Sequence, residues 1–178
     1  MSTQKLIRAF TLLELLAVIA VLVILMLLVV PSFQSIIQNN RTVSLSNELI
    51  SALNFARSES IKRGVSVSLC AAADVNLNSC GSNWNNGWLV FVNPNEDAAF
   101  ANNATEILLR IQQILGQGYS VTTTPALGVA TYTSSGFPLA ATGNMVFNIT
   151  ATGCTGNNAR SIRVTTTGRL NMTPVACP

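Results

Sequence analysis

The sequence predicts an α+β protein in which one long N-terminal helix packs against an antiparallel β-sheet head. Two observations predict the helix: residues 15–30 contain no polar side chain, and a helical spacing of apolar residues continues from there to Gly64. A third predicts the head, because from Val65 onward apolar and polar residues alternate with a period of two.

The apolar run at residues 10–31 is long enough to cross a membrane as a helix, which takes about 20 residues. Lys5 and Arg8 precede it, and such cations keep their end of a span in the cytoplasm, so we expect the rest of the chain to be exported. Glu14 lies inside the run. A carboxylate near the centre of a membrane helix costs roughly 2.5–3.5 kcal/mol, so we expect this one to have a partner.

Residues 32–64 are predicted to continue the same helix in amphipathic form and to end at Gly64, a favourable residue after a helix C-terminus. Pro31 removes one backbone hydrogen bond and predicts a bend within a single helix. The positions assigned to one face are Ile36, Ile37, Val43, Leu45, Leu49, Ala52, Leu53, Ala56 and Ser60.

The head, residues 65–178, is predicted to consist of short strands separated by polar loops. In the third of these strands Ile107, Leu109 and Ile111 are expected to face the same way. The predicted strands cover 65–70, 87–93, 106–115, 119–124, 130–134, 144–150, 160–166 and 169–172.

Four cysteines and no histidine indicate two disulfides in an exported chain. Three connectivities are possible, and we expect Cys70–Cys80, which closes a short loop, together with Cys154–Cys177, which ties the C-terminal segment to the sheet. No C-x-x-C spacing supports a zinc site. The oxygen-rich run 93–97 lacks the glycine and the later glutamate of a calcium loop, so we expect no metal there.

The chain offers no catalytic constellation, because it lacks histidine and its carboxylates are scattered. Charged residues make up 10% of the sequence and the net charge is +3. We therefore expect a protein without enzymatic activity and without a cofactor.

The segment Ala9-Phe10-Thr11-Leu12-Leu13-Glu14-Leu15-Leu16 resembles the class III signal of type IV prepilins and type II secretion pseudopilins, Gly-Phe-Thr-Leu-Ile-Glu-Leu, with Ala9 in place of the glycine. The resemblance implies that residues 1–9 are a leader, that prepilin peptidase cleaves between Ala9 and Phe10, and that the new Phe10 amine is methylated. Glu14 would then pair with the N-terminal amine of a neighbouring helix and set the axial register of a filament.

Further motifs in the head are similar to those of the GspH/FimT group of minor pilins and pseudopilins. Trp84 to Asn93 is similar to Trp-x-x-Gly-Trp-x-Val-Phe-x-Asp, and the helix end at 57–63, Gly136-Phe137 and Gly168-Arg169 also match the group. This resemblance implies the type IV pilin fold in a single-pass inner-membrane protein with a periplasmic head. Before assembly the N-terminus would be cytoplasmic; afterwards the subunit would lie at a pilus tip or in a periplasmic pseudopilus.

The resemblance also implies a function: a low-copy subunit that primes or caps a type IV pilus together with other minor and major pilins. Such a subunit supports twitching, adhesion and DNA uptake. The alternative with the same architecture is a minor pseudopilin of a type II secretion system.

A second alternative is DNA binding. No Asp or Glu follows Glu106, whereas Arg160, Arg163 and Arg169 lie in that last third of the chain and form a candidate contact site for double-stranded DNA. Competence-associated pilins of this family bind DNA through Gly-Arg-x-Arg, and this chain has Gly168-Arg169-Leu170-Asn171. In a regular strand Arg160 and Arg163 would face opposite ways. The competing interpretation is that these arginines are solvated or contact another minor pilin.

Overall fold

The computed structural model describes residues 11–101, 103–113 and 118–178, with the backbone alone for residues 27–34. The chain divides into two compact units, Met1–Ile37 and Gln38–Pro178. One helix and nine strands are described. They are α1 (Leu12–Arg63), β1 (Val67–Ala72), β2 (Cys80–Gly81), β3 (Trp88–Val92), β4 (Leu108–Gln112), β5 (Tyr119–Thr124), β6 (Val129–Tyr132), β7 (Val146–Ala151), β8 (Ala159–Val164) and β9 (Leu170–Val175).

Helix α1 is a single helix of 52 residues, as predicted. It ends where expected, because Gly64 adopts a left-handed conformation with φ of 63°. The bend predicted at Pro31 stays a prediction, because the structure does not describe the side chain of this residue. Among the residues that are described, no helical stretch is both long and apolar enough to cross a membrane.

The second half of α1 supplies one side of the core of the head. Six of the residues predicted on one face are buried, with at most 3% exposure: Leu45, Leu49, Ala52, Leu53, Ala56 and Ser60. The assignment of Ile36 and Ile37 to this face was wrong, since their side chains are 54% and 49% exposed. Thr42 and Ser46 are buried instead, and each hydroxyl donates to a backbone carbonyl one turn earlier, which allows a polar residue in the core.

The strands form two antiparallel sheets rather than the one sheet that was predicted. The first has the order β2-β1-β3-β4, with β6 also paired to β1, and the second has the order β5-β7-β8-β9. A period-two pattern locates strands but does not say which of them pair, so β6 could not be assigned to the sheet opposite its neighbours β5 and β7. The α+β fold class itself is confirmed.

Strand β4 differs from its predicted pattern. A register shift opposite Val90 and Phe91 places Leu108 across from Phe91 and Ile111 across from Leu89. Because residues directly opposite each other lie on the same face of a sheet, Leu108 and Ile111 share a face despite their odd spacing. The prediction that alternate residues of this strand all face one way was therefore wrong.

The two sheets meet at Trp84, which lies in a one-turn 3-10 helix, Trp84–Asn86. Its indole ring packs edge-on against Phe147 of the second sheet, with 4.9 Å between ring centroids, and its Nε1 donates to the carbonyl oxygen of Leu127 at 2.9 Å. The helix and both sheets thus share one core. A smaller apolar cluster that includes Phe91 and Phe100 covers the other face of the first sheet.

Candidate functional site

The start of α1 combines a capped first turn with an exposed apolar surface. The Thr11 hydroxyl accepts a hydrogen bond from the backbone N–H of Glu14 at 3.2 Å, which satisfies a free donor of the helix start. Glu14 is exposed in this turn, where the helix dipole favours a negative charge. Ala9 and Phe10, the expected cleavage and methylation positions, lie outside the described residues.

The helix that follows Thr11 has apolar side chains on all sides. From Leu12 to Met26, the large apolar side chains are 49–78% exposed in the isolated chain. A helix that is apolar all round is normally buried in a larger apolar environment, and contiguous exposed apolar surface of this extent marks an interaction site. We therefore take residues 12–26 as the candidate interaction surface of the helix.

At the other end of α1, Arg57 ties two loops of the head to the helix. Its guanidinium donates to the carbonyl oxygens of Gly136 (2.9 Å), Gly168 (3.1 Å) and Thr167 (3.0 Å). The two glycines are buried and have φ of 76° and 77°, in the left-handed region. A Cβ added to Gly136 would lie 2.5 Å from Cδ1 of Ile61, the movable end of an exposed side chain, so the positive φ is what favours glycine here.

Three motifs that are separated in the sequence therefore meet at one point: the helix end around Arg57, Gly136-Phe137 and Gly168-Arg169. We define this cluster, Arg57 with the loops around Gly136 and Gly168, as the arginine junction. Sequence reasoning noted each motif but missed that the Arg57 guanidinium joins them. Two features of the sequence could have suggested this contact. One is an arginine in the half of α1 that packs on the head, and the other is a pair of Gly-containing turns whose carbonyl groups need hydrogen-bond donors.

The sequence motif around Gly87 is also explained by contacts within the head. Gly87 has φ of 93°, and a Cβ there would lie 2.2 Å from the carbonyl oxygen of Gln112 on β4. The neighbouring Asn85 accepts a hydrogen bond from the backbone N–H of Val121 at 2.7 Å, which connects this turn to β5. The motif thus joins the first sheet to the second.

The three arginines of the DNA hypothesis do not form one cluster. Strand β8 is regular, so Arg160 and Arg163 face opposite sides of the second sheet, as predicted for a regular strand. The guanidinium of Arg160 donates to the Asn39 side chain on α1 and to the carbonyl oxygens of Asn157 and Ala159. Arg163 and Arg169 are exposed, and within the described chain neither guanidinium forms a hydrogen bond or ion pair.

Both disulfides join the cysteines chosen from the sequence. Cys70 on β1 is bonded to Cys80 on β2, and Cys154 is bonded to Cys177 beyond β9, each with 5.6 Å between Cα atoms. The first closes the loop between β1 and β2. The second fixes the segment after β9 against the loop between β7 and β8.

The oxygen-rich loop after β3 uses several of its polar groups in internal hydrogen bonds. Asn93 is buried and donates to the Ser68 hydroxyl and to the carbonyl oxygen of Asp97, both at 2.8 Å. Glu96 accepts from the Ser66 hydroxyl at 2.7 Å. Over residues 11–101, 103–113 and 118–178, no three His, Cys, Asp or Glu side chains are grouped as metal ligands.

Among the described residues, two groups on α1 and one on β6 have shifted pKa values. A hydrogen bond from Arg63, at 2.6 Å, is the main cause that lowers the pKa of Glu59. Burial raises the pKa of Glu48, and the positive charge of Arg110 opposes that shift. Burial also raises the pKa of Tyr132 to about 12. The Tyr132 hydroxyl has no hydrogen-bond partner in the described part of the chain.

A long N-terminal helix, apolar at its start and packed against antiparallel sheets in its second half, defines the class of pilin-like proteins. Residues 45–168 match the family described as type II transport protein GspH, which is more than half of the chain. The chain therefore belongs to the GspH family, as its motifs predicted. No curated protein sequence gives a significant match.

Two solved structures have a similar fold, both of the type IV minor pilin FimU from Pseudomonas aeruginosa in different space groups. The first is 20% identical, with a TM-score of 0.59, and the match covers 76% of this chain and 90% of FimU. The second is 22% identical, with a TM-score of 0.54, and covers 74% and 91%. At this identity the similarity establishes the pilin fold of the head.

Proposed function

We propose that this chain is a minor pilin of a type IV pilus with a structural rather than an enzymatic role. In this proposal prepilin peptidase cleaves after Ala9, Phe10 is methylated, and residues 10–31 anchor the subunit in the inner membrane with its head in the periplasm. The subunit then enters the filament and primes or caps it. The observation that carries the proposal is the exposed apolar helix that begins at the Thr11 cap and contains Glu14.

Glu14 would make one axial position of that helix in the filament more stable than the others. A carboxylate among apolar helices is costly unless a cation neutralises it, and removing one partner of a buried pair costs about 3–5 kcal/mol. The methylated amine of Phe10 from an adjacent subunit would supply the positive charge. Only an axial shift that brings the two groups together would satisfy both, so the pair would select the position of each new subunit.

The variant Glu14→Ala tests this register. We expect it to be as stable and as well processed as the wild type, but to enter filaments at least about a hundredfold less, which corresponds to about 3 kcal/mol. The measurement is the ratio of this chain in sheared filaments to that in membranes. Glu48→Ala, in the head-packed half of α1, is the control that should enter normally. Normal entry of Glu14→Ala would contradict the proposal, as would a native protein whose mass includes residues 1–9.

Membership of the GspH family is equally compatible with a minor pseudopilin of a type II secretion system. Deleting the gene and scoring piliation, DNA uptake and enzyme secretion in the same strain separates the two. We expect the loss of pili with normal secretion. Defective secretion with normal piliation would assign the chain to the secretion system instead.

DNA binding is a second candidate function, and the exposure of Arg163 and Arg169 supports it. Both belong to a stretch without acidic residues, so phosphate groups would meet no repulsion from carboxylates of that stretch. Binding by the detergent-solubilised full chain should weaken between 50 and 200 mM salt and be lost in Arg163→Ala/Arg169→Ala. Arg41→Ala, an exposed arginine on α1, should bind normally. Absence of binding at low salt would exclude this function.

A further inference from the structure

Two large apolar side chains are exposed on adjacent segments at the end of the head where α1 terminates. Ile61 is 55% exposed and Phe137 is 53% exposed. They belong to the same patch because Gly136, the residue before Phe137, packs directly against the Ile61 side chain. We define Ile61 and Phe137 as the apolar pair.

The loop that presents Phe137 is fixed before any partner arrives. The carbonyl oxygen of Phe137 accepts from the backbone N–H of Thr133 at 2.8 Å and from the Thr133 hydroxyl at 3.1 Å. Gly136 N–H donates to the carbonyl oxygen of Thr133 at 2.8 Å, and Arg57 holds the Gly136 carbonyl. Binding through a pre-ordered loop avoids much of the entropy cost of ordering it, and aromatic residues such as phenylalanine are enriched at protein interfaces.

The surroundings of the apolar pair are positively charged. Lys62 and Arg63 follow Ile61 along the helix, and Arg169 follows Gly168 in the arginine junction. Within the described chain, the one carboxylate in contact with these cations is Glu59, which pairs with Arg63 at 2.6 Å and Lys62 at 3.5 Å. Three exposed cations, Lys62, Arg63 and Arg169, therefore lie in the segments next to the pair against one carboxylate, whereas Arg57 is already bonded to three carbonyl oxygens.

We propose that the apolar pair is a docking surface for the head of a different pilin-like subunit, which presents an apolar pocket bordered by carboxylates. This inference rests on the proposed function as a pilus subunit. A symmetric contact between two copies of this chain is disfavoured, because the same surface on both copies would bring like charges together. A partner with acidic side chains around its pocket would instead gain from the three exposed cations.

Photo-crosslinking in the cells that make the protein tests the docking surface on the full chain. A benzophenone amino acid placed at Ile61 should yield one main adduct with a pilin-like protein, identified by mass spectrometry. The same probe at Val75, which is 70% exposed on a different loop, is the matched control and should not yield that adduct. Adding Phe137→Ala should lower the adduct at least about tenfold, as expected for the loss of an anchor residue.

Two further variants separate docking from folding. Phe137→Leu keeps an apolar side chain and should retain most of the adduct, whereas Lys62→Glu/Arg169→Glu should lose it through charge reversal. All variants should keep both disulfides and the wild-type unfolding midpoint, because the Thr133 and Arg57 bonds involve the backbone of the loop.

Four results would overturn the inference: no adduct at Ile61, equal adducts at Ile61 and Val75, no loss with Phe137→Ala, or an adduct with a second copy of this chain or with a protein that is not a pilin. The proposed function has a different test. If Glu14→Ala reduces filament entry while the Ile61 adduct is missing, the docking surface alone is wrong; if Glu14→Ala enters normally, the proposed function itself fails.

Discussion

Replacing Arg57 with alanine should destabilise the head, because its guanidinium makes three hydrogen bonds to two loops. Each hydrogen bond from a charged donor contributes roughly 1.5–3 kcal/mol. The variant loses three, but Thr167 is exposed and water can replace the donor there. The carbonyls of the buried Gly136 and Gly168 have no such replacement, which sets the expected loss at about 3–5 kcal/mol.

A loss of that size is a large fraction of the 5–15 kcal/mol typical of a domain. Urea unfolding of the full chain in detergent measures it through the fluorescence of Trp84 and Trp88, both buried in the core. Arg57→Lys should lose about 2 kcal/mol, because an ammonium cannot reproduce the planar fork of donors. Arg41→Ala, an exposed change on the same helix, should stay within about 0.5 kcal/mol. If Arg57→Ala lost less than about 1 kcal/mol, the arginine junction would not hold the loops together.

Two other substitutions test the core of the head. Gly87→Ala should cost about 2–4 kcal/mol because its methyl group would collide with the Gln112 carbonyl, whereas Gly156→Ala, with φ of 62° and no atom within 4 Å, should cost about 1 kcal/mol; equal urea midpoints would refute the collision. Tyr132→Phe should leave stability at pH 7 unchanged or slightly higher, since the lost hydroxyl has no described partner. The raised pKa of about 12 means that the wild type loses up to about 2–3 kcal/mol as pH rises from 10 to 12, and urea midpoints at pH 7 and 11.5 should show that Tyr132→Phe lacks this loss.

The sequence predicted most elements because local patterns determine them. The predicted strand 119–124 coincides with β5, and every other predicted strand overlaps an observed one. Strand β2 was missed because two residues, Cys80 and Gly81, are too few to show an alternation. The 3-10 turn at Trp84–Asn86 was missed for the same reason, although its flanking Asn and Gly are turn residues.

What the sequence could not supply were contacts between distant positions. Arg160 lies 121 residues from Asn39, whose side chain it contacts, and Arg57 lies 111 residues from Gly168. The spacing of residues in a single sequence does not reveal either partner, so from the sequence both arginines look like unpaired charges. In the structure Arg160 is half-buried and hydrogen-bonded, whereas Arg163 and Arg169 are exposed.

The second sheet also limits how this protein can respond to its surroundings. Its four strands, β5, β7, β8 and β9, contain no aspartate, glutamate, histidine or lysine, and their charged side chains are Arg160 and Arg163. Because arginine stays protonated, these strands carry the same charge in acidic and in mildly alkaline media. The carboxylate side chains lie on the helix and in the loops up to Glu106, so any response of side chains to acidification originates there. The second sheet instead offers a surface whose charge stays constant over this pH range.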